Sequence, residues 1–519
     1  MSDAAIGFLT TLLGPDRVIT AASALAGFAA DVADGPAAVP CLAARPGSVD
    51  DLARAVKLLT DLGVAVVPRG GSSGGGGTEI VRAPAAILDL RDLDRIVEIN
   101  EADRYVTVEA GCTWSALWDA LRPRGLRTPF FGPLSGAAAT VGGTASANAW
   151  FFGSGSYGTM SDTVLGLDVV LADGSLVETG AAAGEGRSPF MRHFGPDFTG
   201  LFLGDCGAFG VKARVTLPLI PAPAAEGYAS FAFERFEDIA EAHVALAREH
   251  VVAEQWGLDP NGNDALAARG FKFLEGVTFA HDPAPEYVAR LNLRLVDGHR
   301  STLRGGYSLH VVVEGASDRD VEARLGRVRR LMVPMALKEL PNAIPQLARA
   351  RPFRAVEDIF AAGGESWLTV HGLFPLSMAG TVVAVTDEYF LRHRAEMERH
   401  AVRAACVTGT AGTAFLLEPM FTWAGETADA RALALRLRRD LIGLWGTFGA
   451  SHLQIGRTYP YAGALSSAAR AMADAVKRAL DPRDLMNPGV LQLGVGAPPK
   501  VSRKFAEFPQ NLLEDRERR

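Results

Sequence analysis

Two clusters of glycine carry the clearest chemistry in the chain. Six of the ten residues in PRGGSSGGGG (68–77) are glycine, as are seven of the 34 in 128–161. Backbone N–H groups reach a phosphate closely only where side chains are absent and φ is unrestricted, and glycine supplies both. A strand running into Pro68, Arg69, Gly70, Gly71, Ser72, Ser73, Gly74 and Gly75 therefore reads as a pyrophosphate cradle; the competing reading is a flexible solvent loop. A P-loop is excluded, because it needs Lys and Ser/Thr after its last glycine, whereas Thr78-Glu79 follow Gly77 and no Lys lies between Lys57 and Lys212. GSGSYG at 153–158 matches GxGxxG formally. A dinucleotide fingerprint should follow a strand and open a helix; SANAWFF before it is a poor strand and TVLGLDVVL after it is a strand, so that reading fails. TVGGTASANA (140–149) is the better surface, since its small residues would let a ligand lie flat against the backbone.

A second group consists of side chains able to move protons. His310, His371, Glu418 and His452 lie in or beside expected strands. A lone His in an apolar strand is more often a satisfied core residue than a catalyst. Glu418 within FLLEPMF is harder to set aside, because an unpaired buried carboxylate is costly and is either partnered or functional. Tyr459 and Tyr461 alternate along HLQIGRTYPY (452–461), expected to be extended, and so would share a face. Either could bind a substrate oxygen or act as a base, or both could be core aromatics; a base would need a nearby cation such as Arg457 to lower the phenol from its usual value near 10.

Positioning these groups requires an N-terminal α+β unit. Ser48, three residues before Asp51, is an N-cap for a helix that ends at Gly63. VAVVP (64–68), AAILDL (85–90) and YVTVEA (105–110) read as strands and TWSALWDALRP as a helix, while Asp173-Gly174 between two β-rich runs signals a hairpin. Residues 1–220 are expected to form this unit, closed by the Pro-rich LPLIPAP. From 221 to 440, longer helices separate the strands YSLHVVVEG (307–315), SWLTVHGLF (366–374) and TAFLLEPMF (413–421), which suggests an antiparallel sheet with helices on one face. Residues 441–519 form a C-terminal segment, and the polar tail after Val495 shows no placeable pattern. No repeat is visible.

Composition narrows the class. The 519 residues are enough for two to four folding units, and the average content of apolar (48%) and charged (21%) residues excludes long disorder and fibrous architectures. With 59 acidic against 52 basic residues there is no electrostatic footprint for nucleic acid or an anionic membrane, which favours a small-molecule substrate. Four dispersed cysteines argue against disulfides and structural metal and fit a cytoplasmic location. The N-terminus lacks the basic region of a signal peptide, and the uncharged run 128–161 is too rich in Gly, Ser and Pro to span a membrane. Oligomeric state is not legible.

In their order and spacing, PRGGSSGGGG, AAILDLRDLDRIVEI, YVTVEAGCTWSALWDAL, TVGGTASANA with Tyr157-Gly158, LDVVLADGSLVETG and GPDFTGLFLGDCGAFGVKARVTLPL resemble the FAD-binding domain of the vanillyl-alcohol oxidase / para-cresol methylhydroxylase superfamily, in the manner of its glycolate-oxidase-subunit-D-like members. LDPRDLMNPG resembles the segment that returns to the flavin domain, and WLTVHGLFP a strand of the substrate-binding cap. The resemblance implies an α+β protein with a two-subdomain FAD-binding domain of the para-cresol methylhydroxylase type and an α+β cap built on an antiparallel sheet. It implies that Pro68 to Gly75 cradle the pyrophosphate and that Pro133 and Leu134 lie along the cofactor. Thr140, Gly142, Gly143, Asn148, Ser154, Tyr157 and Gly158 would border the flavin, Gly210 and Val211 the adenosine half, and Asn487 would come from the returning segment. Arg457 stands where relatives place a cation for the reduced flavin.

Departures from that pattern are informative. The first histidine of the chain is His193, after both glycine clusters, so the His tether many relatives use in this domain is impossible; FLLEPMFTW, the strand bearing the tether in other members, also lacks His. FAD is expected to be non-covalent. Ala149-Trp150 replace the acidic residue that phenol oxidases carry near the flavin, and the HxxDGNxH-like segment of metal-dependent members is missing, so no metal is expected. The expected activity is oxidation of the CH–OH group of a small alcohol or 2-hydroxy acid by hydride transfer to flavin, with reoxidation by oxygen or another acceptor. The alternatives are oxidation of benzylic alcohols or 4-alkylphenols, and a flavin-binding protein without turnover.

Overall fold

The computed structural model describes residues 3–29, 38–79, 85–269, 306–350, 352–353, 364–425 and 427–494; the tail considered above lies outside them. The chain forms two compact units. One takes the chain up to Ala149, then Met160–Pro221 and the stretch from Leu453; the other takes Trp150–Thr159 and Ala222–His452.

The first unit is built on two sheets. Strands β1 (Val18–Ile19), β2 (Leu42–Ala44), β3 (Ala65–Arg69) and β4 (Ala85–Asp89) run in the order β1-β2-β4-β3, with β2 and β3 parallel to β4. Parallel strands need a crossover, and the helix Val49–Asp61 carries the chain from β2 to β3, which lie on either side of β4. Ser48 Oγ accepts from the Asp51 N–H at 3.1 Å, satisfying one donor that the first turn leaves open. Leu52, Val56 and Leu59, spaced three and four apart, are fully buried, each contributing about 1.5–3 kcal/mol. Gly63, at φ 74°, ends the crossover in a conformation that other residues rarely adopt. The second sheet comprises β5 (Ile96–Asn100), β6 (Tyr105–Glu109), β8 (Gly166–Val170), β9 (Leu176–Glu178) and β10 (Val211–Pro218), antiparallel throughout in the order β5-β6-β10-β8-β9; β7 (Leu126–Arg127) pairs separately with β11 (Ile220–Pro221). Asp173-Gly174 does turn β8 into β9. One core joins Leu9, Leu52, Val66, Leu88, Val170, Val211 and Met486, so the C-terminal segment contributes to the same interior as both sheets.

The second unit is one antiparallel sheet of β12 (Ala225–Phe233), β13 (Glu254–Leu258), β14 (Tyr307–Gly315), β15 (Lys338–Leu340), β16 (Glu365–Thr369), β17 (Gly372–Pro375), β18 (Val402–Ala411) and β19 (Ala414–Ala424). The order is β15-β12-β14-β13-β18-β19-β16, with β17 also on β19. The alternation of side chains along β12 and β14 sends Phe231, Leu309, Val311 and Val313 to one face, where Ile239 and Leu246 of the helix Phe236–Glu249 and Val328 and Met332 of the helix Asp318–Met332 cover them. Four strands, β12, β13, β15 and β18, were not read from the sequence.

Two sequence expectations change. The strand expected at 366–374 is two strands: β16 pairs with the far end of β19 and β17 with its start, separated at Val370-His371. Pro419 is the cause, since its carbonyl accepts from the Val370 N–H at 3.1 Å but it has no N–H to return. The segment expected to be extended to Tyr461 instead turns. The Thr458 and Tyr459 N–H groups both donate to the Ile455 carbonyl, and Tyr461 opens a short helix, Tyr461–Ala464. Gly456 at φ 51° starts the turn; a Cβ there would stand 2.0 Å from the Gly76 carbonyl oxygen. Tyr459 and Tyr461 therefore do not share a strand face, and Tyr459 is buried.

Candidate functional site

In the first unit the glycine loop follows β3 directly and is gripped from two sides. A Cβ on Gly71 would lie 1.8 Å from the Ala138 carbonyl oxygen, and one on Gly76 would lie 1.9 Å from that of Gln454. Both contacts are with backbone, so these glycines are demanded by packing as well as by any ligand. The Arg457 N–H donates to the Gly76 carbonyl at 2.8 Å. Beside the loop, Thr140 caps the helix Val141–Ala147, its Oγ accepting from the Gly143 N–H. Gly70 approaches Thr140 Oγ1 and Gly143 closely, whereas Gly142 is small because Ala110 abuts it.

The donors of the loop converge. Ser72 Oγ lies 2.5 Å from Glu79 Oε2, Arg69 Nε 3.4 Å from the same oxygen, and the Gly70 N–H also bonds the carboxylate. Ser72 is at φ 52°, the left-handed geometry that turns neighbouring N–H groups toward one anion. Burial pushes the Glu79 carboxyl above its ordinary value, against the pull of Arg69, Ser72 and Gly70. Two hydrogen-bond donors and a guanidinium charge already trained on one anion fit the phosphates of a dinucleotide.

The returning segment closes this region. Asn487 donates through Nδ2 to the carbonyls of Thr78 (2.9 Å) and Cys206 (2.8 Å). Arg457 donates to Asn487 Oδ1 and to the Pro488 carbonyl, both at 2.6 Å. Lys477, buried, binds the Ala208 and Met486 carbonyls and Asp481. The segment 204–210 was only partly read from the sequence. Gly210 and Val211 lie against β8, while Gly207 is the residue that meets Pro68. The buried Asp205–Lys212 pair holds that turn, with Asp205 also accepting from the Gly207 and Phe209 N–H groups. Two glycines flanking Asp-Cys were the available signal. Pro133 and Leu134 form a half-buried turn, and Asn148, at φ 54°, accepts from the Ser161 N–H. Ser154, Tyr157 and Gly158 belong to the second unit, where Ser154 is fully buried and its Oγ accepts from the Phe151 N–H.

In the second unit, the sheet face opposite the two covering helices carries Glu254, Trp256, His310 and Glu418. The segment 150–159 packs on it, with Trp150 against Gly409 and Phe151 5.8 Å from Trp256 between ring centroids. Glu254 accepts from the Gly153 N–H at 2.8 Å and pairs with Arg349, which also binds Glu226 and Glu314.

The break between β16 and β17 places His371 opposite Glu418, with Nε2 3.1 Å from Oε1 and both side chains nearly buried. A carboxylate only accepts, so Nε2 is the donor in this contact. His452 Nδ1 donates to the His371 carbonyl at 2.6 Å, and burial lowers its pKa to about 4, so its imidazole is neutral at pH 7. His310 is a different case. Ser308 Oγ donates to Asn263 Oδ1 and so accepts from His310 Nε2, while Ser230 Oγ meets Nδ1 at 3.0 Å. With both nitrogens held by serines and no exposure, His310 has the surroundings of a satisfied core histidine.

Among the described residues no group of three or more His, Cys, Asp or Glu could hold a metal ion, and no helix is long and apolar enough to cross a membrane. Residues 40–180 match the family model of the FAD binding domain. The chain is 33% identical over 184 residues to a probable mitochondrial D-lactate dehydrogenase of Danio rerio, covering 36% of each chain. It is 30% identical over 207 residues to a D-2-hydroxyglutarate dehydrogenase of Xanthomonas citri pv. viticola, covering 40% of this chain and 42% of that one. The alignments thus span about four-tenths of these relatives' length. The fold as a whole is similar to that of p-cresol methylhydroxylase with substrate bound, at a TM-score of 0.74 and 16% identity, covering 96% of this chain and 98% of that one.

Proposed function

We propose, from an FAD-binding domain at residues 40–180 carried on a fold like that of p-cresol methylhydroxylase, that the protein oxidises the CH–OH group of a small 2-hydroxy acid. The observation that carries the reading is the His371–Glu418 pair, a base oriented by a carboxylate, in a chain whose other unit holds a flavin nucleotide. The relatives named as D-lactate and D-2-hydroxyglutarate dehydrogenases support the substrate class.

FAD bound here would supply the two-electron oxidant for the CH–OH group. Arg69 to Gly75, Thr140, Gly143, Gly207 and Asn487 would hold it, with Gly142 keeping the helix Val141–Ala147 close to Ala110. Arg457, positioned by Asn487 and Pro488, supplies fixed positive charge to a reduced cofactor. In the second unit His371 Nδ1 takes the hydroxyl proton, and Glu418 orients the ring and stabilises the imidazolium. His452 fixes the His371 backbone through its carbonyl. Trp150, Phe151 and Trp256 supply the apolar part of the substrate surface.

That aromatic group favours a second reading, oxidation of benzylic alcohols or 4-alkylphenols. The electrons pass to oxygen or another acceptor. The four cysteines are free thiols, which supports a reducing compartment such as the cytoplasm. Anaerobic mixing with 2-hydroxy acids, aliphatic alcohols, benzylic alcohols and alkylphenols tests the reading by loss of flavin absorbance. Bleaching by 2-hydroxy acids is expected. Bleaching by phenols alone would establish the second reading, and a yellow protein bleached by none would indicate flavin binding without turnover.

A further inference from the structure

We propose that Glu79 is an internal anion that occupies the cofactor's phosphate-binding donors until the nucleotide displaces it, so that FAD affinity is governed by the protonation of this one carboxyl. The inference rests on the FAD-binding reading and concerns only the first unit.

The geometry is specific. Glu79 lies two residues beyond the last glycine of the loop; its carboxylate accepts from the Ser72 hydroxyl at 2.5 Å and from the Gly70 N–H, and forms an ion pair with the Arg69 guanidinium, whose Nε is 3.4 Å away. Donors of these three kinds, backbone N–H, hydroxyl and guanidinium, are what a diphosphate needs. Ser72 is held at φ 52°, a conformation costly for a residue with a side chain, and its bond to Glu79 compensates for that cost. Arg69 is fixed from its other side by the Phe28 ring, 4.8 Å from the guanidinium, so it cannot readily turn toward a second anion while keeping the first. The remaining charges facing Glu79 are Asp89 on β4 and Arg91 just after it; Asp89 is itself bound by Arg45 and Arg91. From the returning segment, Arg457 meets the loop through its N–H at Gly76.

A phosphate and an ionised carboxylate cannot share these donors without repulsion. Binding the nucleotide must therefore expel the carboxylate from the donors or protonate it. Protonation is the easier route for a carboxyl already pushed upward by burial, and it couples binding to proton uptake. The sign follows. The carboxyl pKa is higher with the nucleotide bound than without it, so affinity is greatest at low pH and falls as pH rises between the two values.

The test is a fluorescence titration of the full chain, stripped of flavin, with FAD from pH 5 to pH 9. For the wild-type protein the Kd is expected to rise with pH by about tenfold for each unit by which the two pKa values differ. E79Q keeps the shape of the side chain without the charge. It should bind FAD about tenfold more tightly than wild type at pH 8 and show a flat profile over the same range. A flat wild-type profile, or an E79Q variant that retains the wild-type slope or binds FAD more weakly than wild type at every pH, overturns the proposal. The wild-type profile needs no variant to fold, and thermal melting of E79Q separates loss of the loop from loss of affinity. Absence of FAD binding by the wild-type protein at any pH would overturn the FAD reading itself, an outcome distinct from the others.

Discussion

The glycine loop and the histidine-bearing sheet both hold polar groups at fixed positions, but they use different materials. The loop works through backbone atoms whose places are set by contacts with other backbone, as at Gly71 against Ala138 and Gly76 against Gln454. The sheet works through side chains whose roles depend on what register places opposite them. His310 and His371 show this best: two residues of one type in one sheet, the first closed off by Ser230 and Ser308, the second paired with Glu418. A cradle of backbone should fail sterically and lose its ligand, whereas a sheet of side chains should fail chemically and keep its fold.

The largest effect is expected at His371. H371A should retain FAD, read by absorbance, and lose turnover on the best substrate of the anaerobic panel by about 10²- to 10⁴-fold; E418Q should lose less and shift the pH profile of kcat. If H371A turns over normally, the contrast with His310 collapses. G76A should do the opposite. Its Cβ meets a carbonyl rather than a movable side chain, an overpacking that costs about 1–3 kcal/mol, so FAD retention should fall by about tenfold to hundredfold in equilibrium dialysis.

Acid should act on buried groups of the second unit. Among the described residues, seven histidines lie in the second unit and only His193 in the first. Burial lowers His243 and His452 to about 4 from a usual value near 6.5, so at these two sites the unfolded chain binds more protons than the folded one between those values. The contribution of these two histidines is fully present above pH 6.5 and is lost progressively down to pH 4, by about 2–3 kcal/mol for each; the buried Asp259 carboxyl of the same unit, pushed up to about 7, opposes it over the same range. Melting followed by tryptophan fluorescence from pH 7 to pH 4 should therefore show a net loss smaller than the two histidines alone would cause. The smallest functional effect is expected from H310N: turnover within about threefold of wild type, and a loss of about 1–3 kcal/mol in stability from the serines left unpaired.

Much of the first unit was legible because its signals are local. The Ser48 cap, the Asp173-Gly174 hairpin and the glycine loop each depend on residues within a few positions of one another. The second unit was harder to read. Its strands β12, β13, β15 and β18 pair across long separations, as Ser230 with His310 and Trp256 with Gly409, and short apolar runs such as VRAACVTGTA have no periodicity that distinguishes a buried strand from other core. The turn at 455–461 was misread for a related reason: the alternation of Tyr459 and Tyr461 suits a strand, but Gly456 must pass against Gly76, a neighbour 380 positions away in the chain.

By itself the amino-acid sequence determined that this protein has a backbone surface for a phosphate-bearing cofactor, that its two glycine clusters contain neither a P-loop lysine nor a histidine, and that an α+β unit presents it. Those properties follow from residue types along a short stretch of chain, because glycine acts through its own φ and its own missing side chain. Only the tertiary structure decided which histidine faces a carboxylate, that Pro419 breaks the edge strand to put it there, and that Glu79 folds back on the donors of the cradle. Each of these depends on a partner brought near by the chain's return, and a side chain's chemistry is set by that partner.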